Sequence, residues 1–146
     1  MKKKSLKITD VYSFEKRTKA EFPLFLANIS AGFPSPADDY IDKKLDLNEY
    51  LIKHPAATFF VRVEGESMIN AGIHSGDILI VDRAVQPNND NVVIAVVDGE
   101  LTVKRIQRKR GKLYLIADNP SFAPMEISKD TNFEVWGVVM YVIHPL

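Results

Sequence analysis

The stretch "NVVIAVVDGELTVKRIQ", residues 91–107, decides the fold. Two runs rich in β-branched residues flank Asp98-Gly99, and Asp-Gly in that setting is a strong signal for a tight β-hairpin. Runs of the same kind lie on either side. They are "ATFFVRVEG" (57–65), "DILIVDR" (77–83), "LYLIAD" (113–118) and "FEVWGVVMYVI" (133–143), punctuated by Gly, Asn, Pro and Asp clusters. Six short strands at this spacing predict a small, mostly-β domain. No internal repeat or low-complexity tract interrupts them.

Upstream, "DLNEYLIKH" (46–54) reads as a short helix, with Asp46 as N-cap and Pro55 just past its end. The clearest boundary is "AGFPSPADDY" (31–40). There Pro34 and Pro36 break regular structure and bias the residues before them towards extended backbone. The 30 residues before this boundary form an arm of weak periodicity, too short for an independent core.

Composition narrows the class. The chain has 146 residues, 46% hydrophobic and 26% charged, which suits a single soluble globular domain. It has no cysteine, so disulfides and thiolate metal sites are excluded. No apolar run approaches the roughly 20 residues that span a bilayer. The basic start "MKKKSLKITD" is followed by no apolar signal-peptide core, so a soluble, cytoplasmic protein without a membrane partner is expected. Net charge is zero but uneven. Residues 1–31 hold seven Lys/Arg against three Asp/Glu, a net of +4; residues 32–146 hold twelve against sixteen, a net of −4. A basic arm on an acidic body suits self-association or contact with a polyanion, and a solvated tail equally well.

The residues that could carry chemistry centre on "VRVEGESMINAG" (61–72). Ser67 lies in a polar turn, and a serine hydroxyl becomes a nucleophile only when a base takes its proton. His54, His74 and His144 are candidate bases, but no spacing pairs one of them with Ser67 over the others. Lys104 is a fourth candidate. Strand alternation places Thr102, Lys104 and Ile106 on one face, with Leu101, Val103 and Arg105 on the other. A mid-strand lysine beside Ile106 can be desolvated, which lowers its pKa towards the range of a useful base. It can equally sit at a sheet edge with its ammonium in water.

The segments "GESM", "SGDILIVDR", "VVIAVVDGELTVKRI" and "VWGVV" occur in the order found in the LexA/UmuD family of self-cleaving serine peptidases, and the chain from residue 31 onward resembles that family. "AGFPSPADDY", "DLNEYLIKHP" and "DGELTVKR" resemble its UmuD-like members rather than its repressors. The resemblance implies a small peptidase domain of short, twisted antiparallel strands with a flexible N-terminal arm. It implies that Ser67 is the nucleophile and Lys104, 37 residues on, the general base, with the backbone N–H groups of Ser67 and Met68 as oxyanion donors. It places the cleaved bond at Ala31–Gly32, so that residues 1–31 form the removable arm and residues 32–146 the peptidase body. A small residue followed by glycine lets a backbone approach a nucleophile closely, although "SAGFPSP" also reads as an ordinary linker. The UmuD-like relative has Cys where this chain has Ala31. No metal or cofactor is implied.

Only 31 residues precede that bond, too few for a repressor's winged-helix DNA-binding domain, so sequence-specific DNA binding is not expected. The resemblance implies a homodimeric accessory subunit of an error-prone, Y-family (UmuC-like) DNA polymerase, acting in translesion synthesis during the SOS response. A RecA–single-stranded-DNA filament would stimulate its self-cleavage. "EFPLFLA" (21–27) resembles an arm segment linked to the polymerase sliding clamp. Two other readings are an interaction module without peptidase activity and a signal-peptidase-like enzyme acting on other proteins.

Overall fold

Asp98 and Gly99 both take positive φ, 48° and 84°, the left-handed pair that a two-residue hairpin turn needs to match the twist of its strands. A computed structural model describes residues 4–16, 21–25 and 41–146. It divides into two units, Met1–Phe14 with His54–Leu146, and Glu15–Lys53.

In the larger unit, β1 spans Lys7–Ser13. In the smaller, β2 (Glu21–Phe25) pairs antiparallel with β3 (Ile41–Asp46) and is followed by the helix α1 (Leu47–Leu51). The larger unit resumes with β4 (Thr58–Glu64), β5 (Ile78–Asp82), β6 (Val92–Val97) and β7 (Glu100–Lys109). It ends with β8 (Lys112–Ile116), β9 (Met125–Ile127) and β10 (Phe133–Ile143). The six expected strands are all present, with ends shifted by no more than two residues. Asp46 caps α1 as expected, accepting from the Asn48 and Glu49 N–H groups. Among the described residues, four further strands were not expected. Two of them, β2 and β3, make up the sheet of the smaller unit, and β1 and β9 form the edges of the larger sheet.

That larger sheet has eight strands in the order β1-β4-β5-β10-β6-β7-β8-β9, every neighbouring pair antiparallel. It curls until β1 comes against β7. The curl buries one apolar cluster of Leu6, Val61, Val63, Met68, Ile73, Leu79, Val81, Ile94 and Val103. A second cluster of Val93, Ala95, Leu115 and Val138 includes the neighbours of Ile94 along β6, so that strand is buried on both faces. Each fully buried Val, Leu or Ile contributes roughly 1.5–3 kcal/mol. β10 bridges β5 and β6 and absorbs the curvature through register shifts at Val135/Gly137 and Val139/Tyr141. A Cβ on Gly137 would stand 2.6 Å from Val81 Cγ1, so a larger residue at that crossing would force the buried Val81 side chain to shift.

No helix among the described residues is long and apolar enough to cross a membrane. The Ala31–Gly32 bond, Pro34 and Pro36 lie outside the described residues.

Candidate active site

The nucleophile candidate sits in the connection from β4 to β5. That connection is held at its base, where Val63 N–H donates to Asp77 O, Gly76 N–H to Val63 O, and Gly65 N–H to Ser75 Oγ. Its first residue is Gly65, with φ of +121°, a region that side-chain-bearing residues rarely enter. A Cβ there would lie 2.3 Å from Ser5 O and 2.7 Å from Leu6 Cα. The glycine of the G-x-S-M turn therefore gives room for another stretch of chain, residues 4–6, to run against it. Glu66 N–H donates to Lys4 O at 2.9 Å, and Leu6 N–H to Ser67 Oγ at 2.9 Å. Both Ser67 and Met68 are 0% exposed. Among the described residues their N–H groups have no backbone acceptor.

Lys104 reaches this turn from β7. Its Nζ donates to Ser67 Oγ at 3.1 Å, to Ser5 Oγ at 3.0 Å and to Thr102 Oγ1 at 3.0 Å. Thr102 stands two residues earlier on the same face, as alternation requires, while Val103 points into the first cluster. Among the described residues no carboxylate pairs with Lys104. Desolvation by burial therefore goes uncompensated and lowers its pKa from 10.5 to about 8. The three contacts also fit a neutral amine. Two N–H bonds would serve Ser5 and Thr102, and the lone pair would receive the Ser67 hydroxyl proton.

A second strap joins β7 to the same turn. Arg105 Nε meets Asp118 Oδ2 at 2.7 Å, Asp118 O accepts from Asn70 N–H, and Asp118 N–H contacts Met68 Sδ at 3.3 Å. Asn119 Nδ2 donates to Glu66 O at 2.9 Å. The turn holding Ser67 and the strand holding Lys104 are thus fixed to each other on two sides.

The histidines are engaged elsewhere. His54 Nδ1 lies 2.6 Å from Asp82 Oδ2, and His144 Nδ1 lies 2.6 Å from Asp77 Oδ1. His74 has its ring beside that of His144. Of the four candidate bases, Lys104 alone contacts Ser67. Sequence reasoning missed Ser5, Leu6, Asp118 and the role of Thr102. Thr102 could have been found from its i−2 spacing to Lys104; nothing in the sequence joins Ser5 or Leu6 to Ser67.

Residues 23–140 match the family described as peptidase S24-like. The chain belongs to that family. Protein ImpA of Salmonella typhimurium is 50% identical over 123 residues, covering 84% of this chain and 83% of ImpA. Protein SamA of Salmonella typhimurium LT2 is 48% identical over 122 residues, covering 84% of each chain. Protein MucA of Escherichia coli is 42% identical over 127 residues, covering 85% of this chain and 86% of MucA. S24 proteins are self-cleaving serine peptidases, and within the family this chain is UmuD-like.

Proposed function

We propose that this S24 protein cuts its own chain at Ala31–Gly32 with Ser67 as nucleophile and Lys104 as general base. The observation that carries the reading is the 3.1 Å approach of Lys104 Nζ to Ser67 Oγ, by a lysine whose pKa is lowered to about 8. Neutral Lys104 takes the Ser67 proton as Oγ attacks the Ala31 carbonyl carbon. The oxyanion that forms is held by the N–H groups of Ser67 and Met68. Protonated Lys104 then gives its proton to the Gly32 nitrogen, the C–N bond breaks, and an Ala31 ester on Ser67 remains. Water attacks that ester, with Lys104 again accepting a proton, and frees the Ala31 carboxylate and the serine. Substrate and enzyme share one chain, so the reaction is intramolecular in effect and occurs once.

In the arrangement described, Leu6 N–H rather than a carbonyl carbon faces Ser67 Oγ. Attack on Ala31 therefore requires residues 4–6 to withdraw from the nucleophile. Residues 1–31 are the arm that cleavage removes, leaving 32–146 as the working body. The cleaved homodimer would serve a Y-family, UmuC-like polymerase in SOS-induced translesion synthesis. A RecA–single-stranded-DNA filament would promote the productive arrangement, and before cleavage segment 21–27 of the arm would offer a contact to the sliding clamp. The UmuD-like character of the chain supports this role.

Intact-mass spectrometry after incubation with RecA, single-stranded DNA and a nucleotide tests the reading. A fragment beginning at Gly32 should form in the wild type and be absent in Ser67→Ala and Lys104→Ala. An uncut wild type would favour an interaction module without peptidase activity.

A further inference from the structure

Away from Ser67, the base of the same connection carries a second cluster. Asp77, 1% exposed, accepts from His74 N–H at 2.8 Å through Oδ2 and meets His144 Nδ1 at 2.6 Å through Oδ1. The two imidazole rings lie with centroids 4.6 Å apart and planes 32° from parallel. His74 Nδ1 is 3.9 Å from Asp77 Oδ2, has no accessible surface and makes no hydrogen bond. A hydrogen-bonded pair explains Asp77 and His144 but leaves that nitrogen unsatisfied, and a buried polar atom without a partner is costly.

We propose that His74, Asp77 and His144 form a binding site for one divalent transition-metal ion of the zinc class. Two imidazoles and a carboxylate are a donor set suited to Zn²⁺ and its neighbours rather than to Mg²⁺ or Ca²⁺. One donor atom from each residue lies within 4.8 Å of the others. Ligands of a tetrahedral ion with bonds of roughly 2.0–2.2 Å stand roughly 3.3 Å apart, so the widest gap need close by at most about 1.5 Å, and the 2.6 Å contact of His144 Nδ1 with Asp77 Oδ1 must open by about 0.7 Å. The imidazoles can turn that far, since their side chains are 44% and 41% exposed, and the same exposure gives the ion an entry path. The His74 N–H bond to Asp77 Oδ2 would then orient the ligating carboxylate. An ion here would join the end of β10 to the base of the connection carrying Ser67, with a water as the fourth ligand.

The test is isothermal titration of Zn²⁺ into metal-stripped full-length Ser67→Ala protein, which cannot cut itself through Ser67, together with its thermal unfolding. One equivalent should bind and raise the unfolding temperature. His74→Ala and His144→Ala should each weaken binding by about 100-fold or more, beyond what loss of an outer contact does. His144→Gln, which keeps a hydrogen-bonding group opposite Asp77, should fold normally and still lose the ion. His54→Ala should bind as well as its parent. Failure to take up Zn²⁺, uptake unchanged in both His74→Ala and His144→Ala, or uptake abolished by His54→Ala would each overturn the proposal.

Discussion

Lys104 Nζ lies 3.1 Å from Ser67 Oγ and is held there by two further hydroxyls, those of Ser5 and Thr102, with no carboxylate beside it among the described residues. Hydroxyl oxygens can orient an amine without stabilising its cation as a carboxylate would. Burial then lowers the lysine's pKa to about 8, so that roughly a tenth to a fifth is neutral between about pH 7 and 7.4, against roughly a thousandth or less for an unperturbed lysine.

Thr102 is on this account a positioning residue for Lys104. Thr102→Val should slow self-cleavage roughly tenfold, a fraction of the roughly 10²–10⁴-fold that a positioned base supplies. It also removes an acceptor from the ammonium, so the midpoint of the pH–rate profile should move to lower pH. Thr102→Ser should restore both. Slower cleavage with an unmoved midpoint would mean that Thr102 matters to the fold alone.

Gly65 gives residues 5 and 6 their place beside Ser67. Gly65→Ala should weaken the docking of β1 by on the order of 1–3 kcal/mol, since it adds a Cβ in a disfavoured backbone region against Ser5 O. Amide hydrogen exchange in a Ser67→Ala background should show faster exchange at residues 6–13 and unchanged protection in β5, β6 and β10. Equal protection of β1 in both proteins would contradict it.

Burial of Lys104 also makes stability depend on pH. Its folded pKa lies below its unfolded one, so between about 8 and 10.5 the unfolded chain binds more protons and stability rises with pH. Lys104→Met lacks this term. Measured by urea unfolding in a Ser67→Ala background, parent and variant should diverge in the parent's favour as pH rises from 7 to 10. A constant difference would mean that Lys104 titrates alike in both states.

Much of the body was legible from sequence because its strands carry their own signals. The β6–β7 hairpin has Asp98-Gly99, and β10 is an apolar run with only Glu134 charged. β1 has no such signal. Six of its seven residues are exposed, and what makes it a strand is its pairing with β4. The site divides in the same way. Thr102 and Lys104 share a face by alternation, but what joins Ser67 to Lys104 is the curl of a sheet that no local pattern encodes. The family resemblance supplied that pairing before the geometry did. Ser5 and Leu6 stayed invisible because their contacts run through backbone atoms and one hydroxyl, across 61 residues between Leu6 and Ser67.

The most direct test of Lys104 as the base is the first-order rate of self-cleavage of the full chain, without RecA, from pH 6 to 11. The rate should rise about tenfold per pH unit at first, bend near pH 8 and level off above it, as expected for one deprotonation in a base. Lys104→Ala should show no such rise. A rate independent of pH across this range, or one that falls between pH 7 and 10, would contradict a neutral Lys104 acting on Ser67.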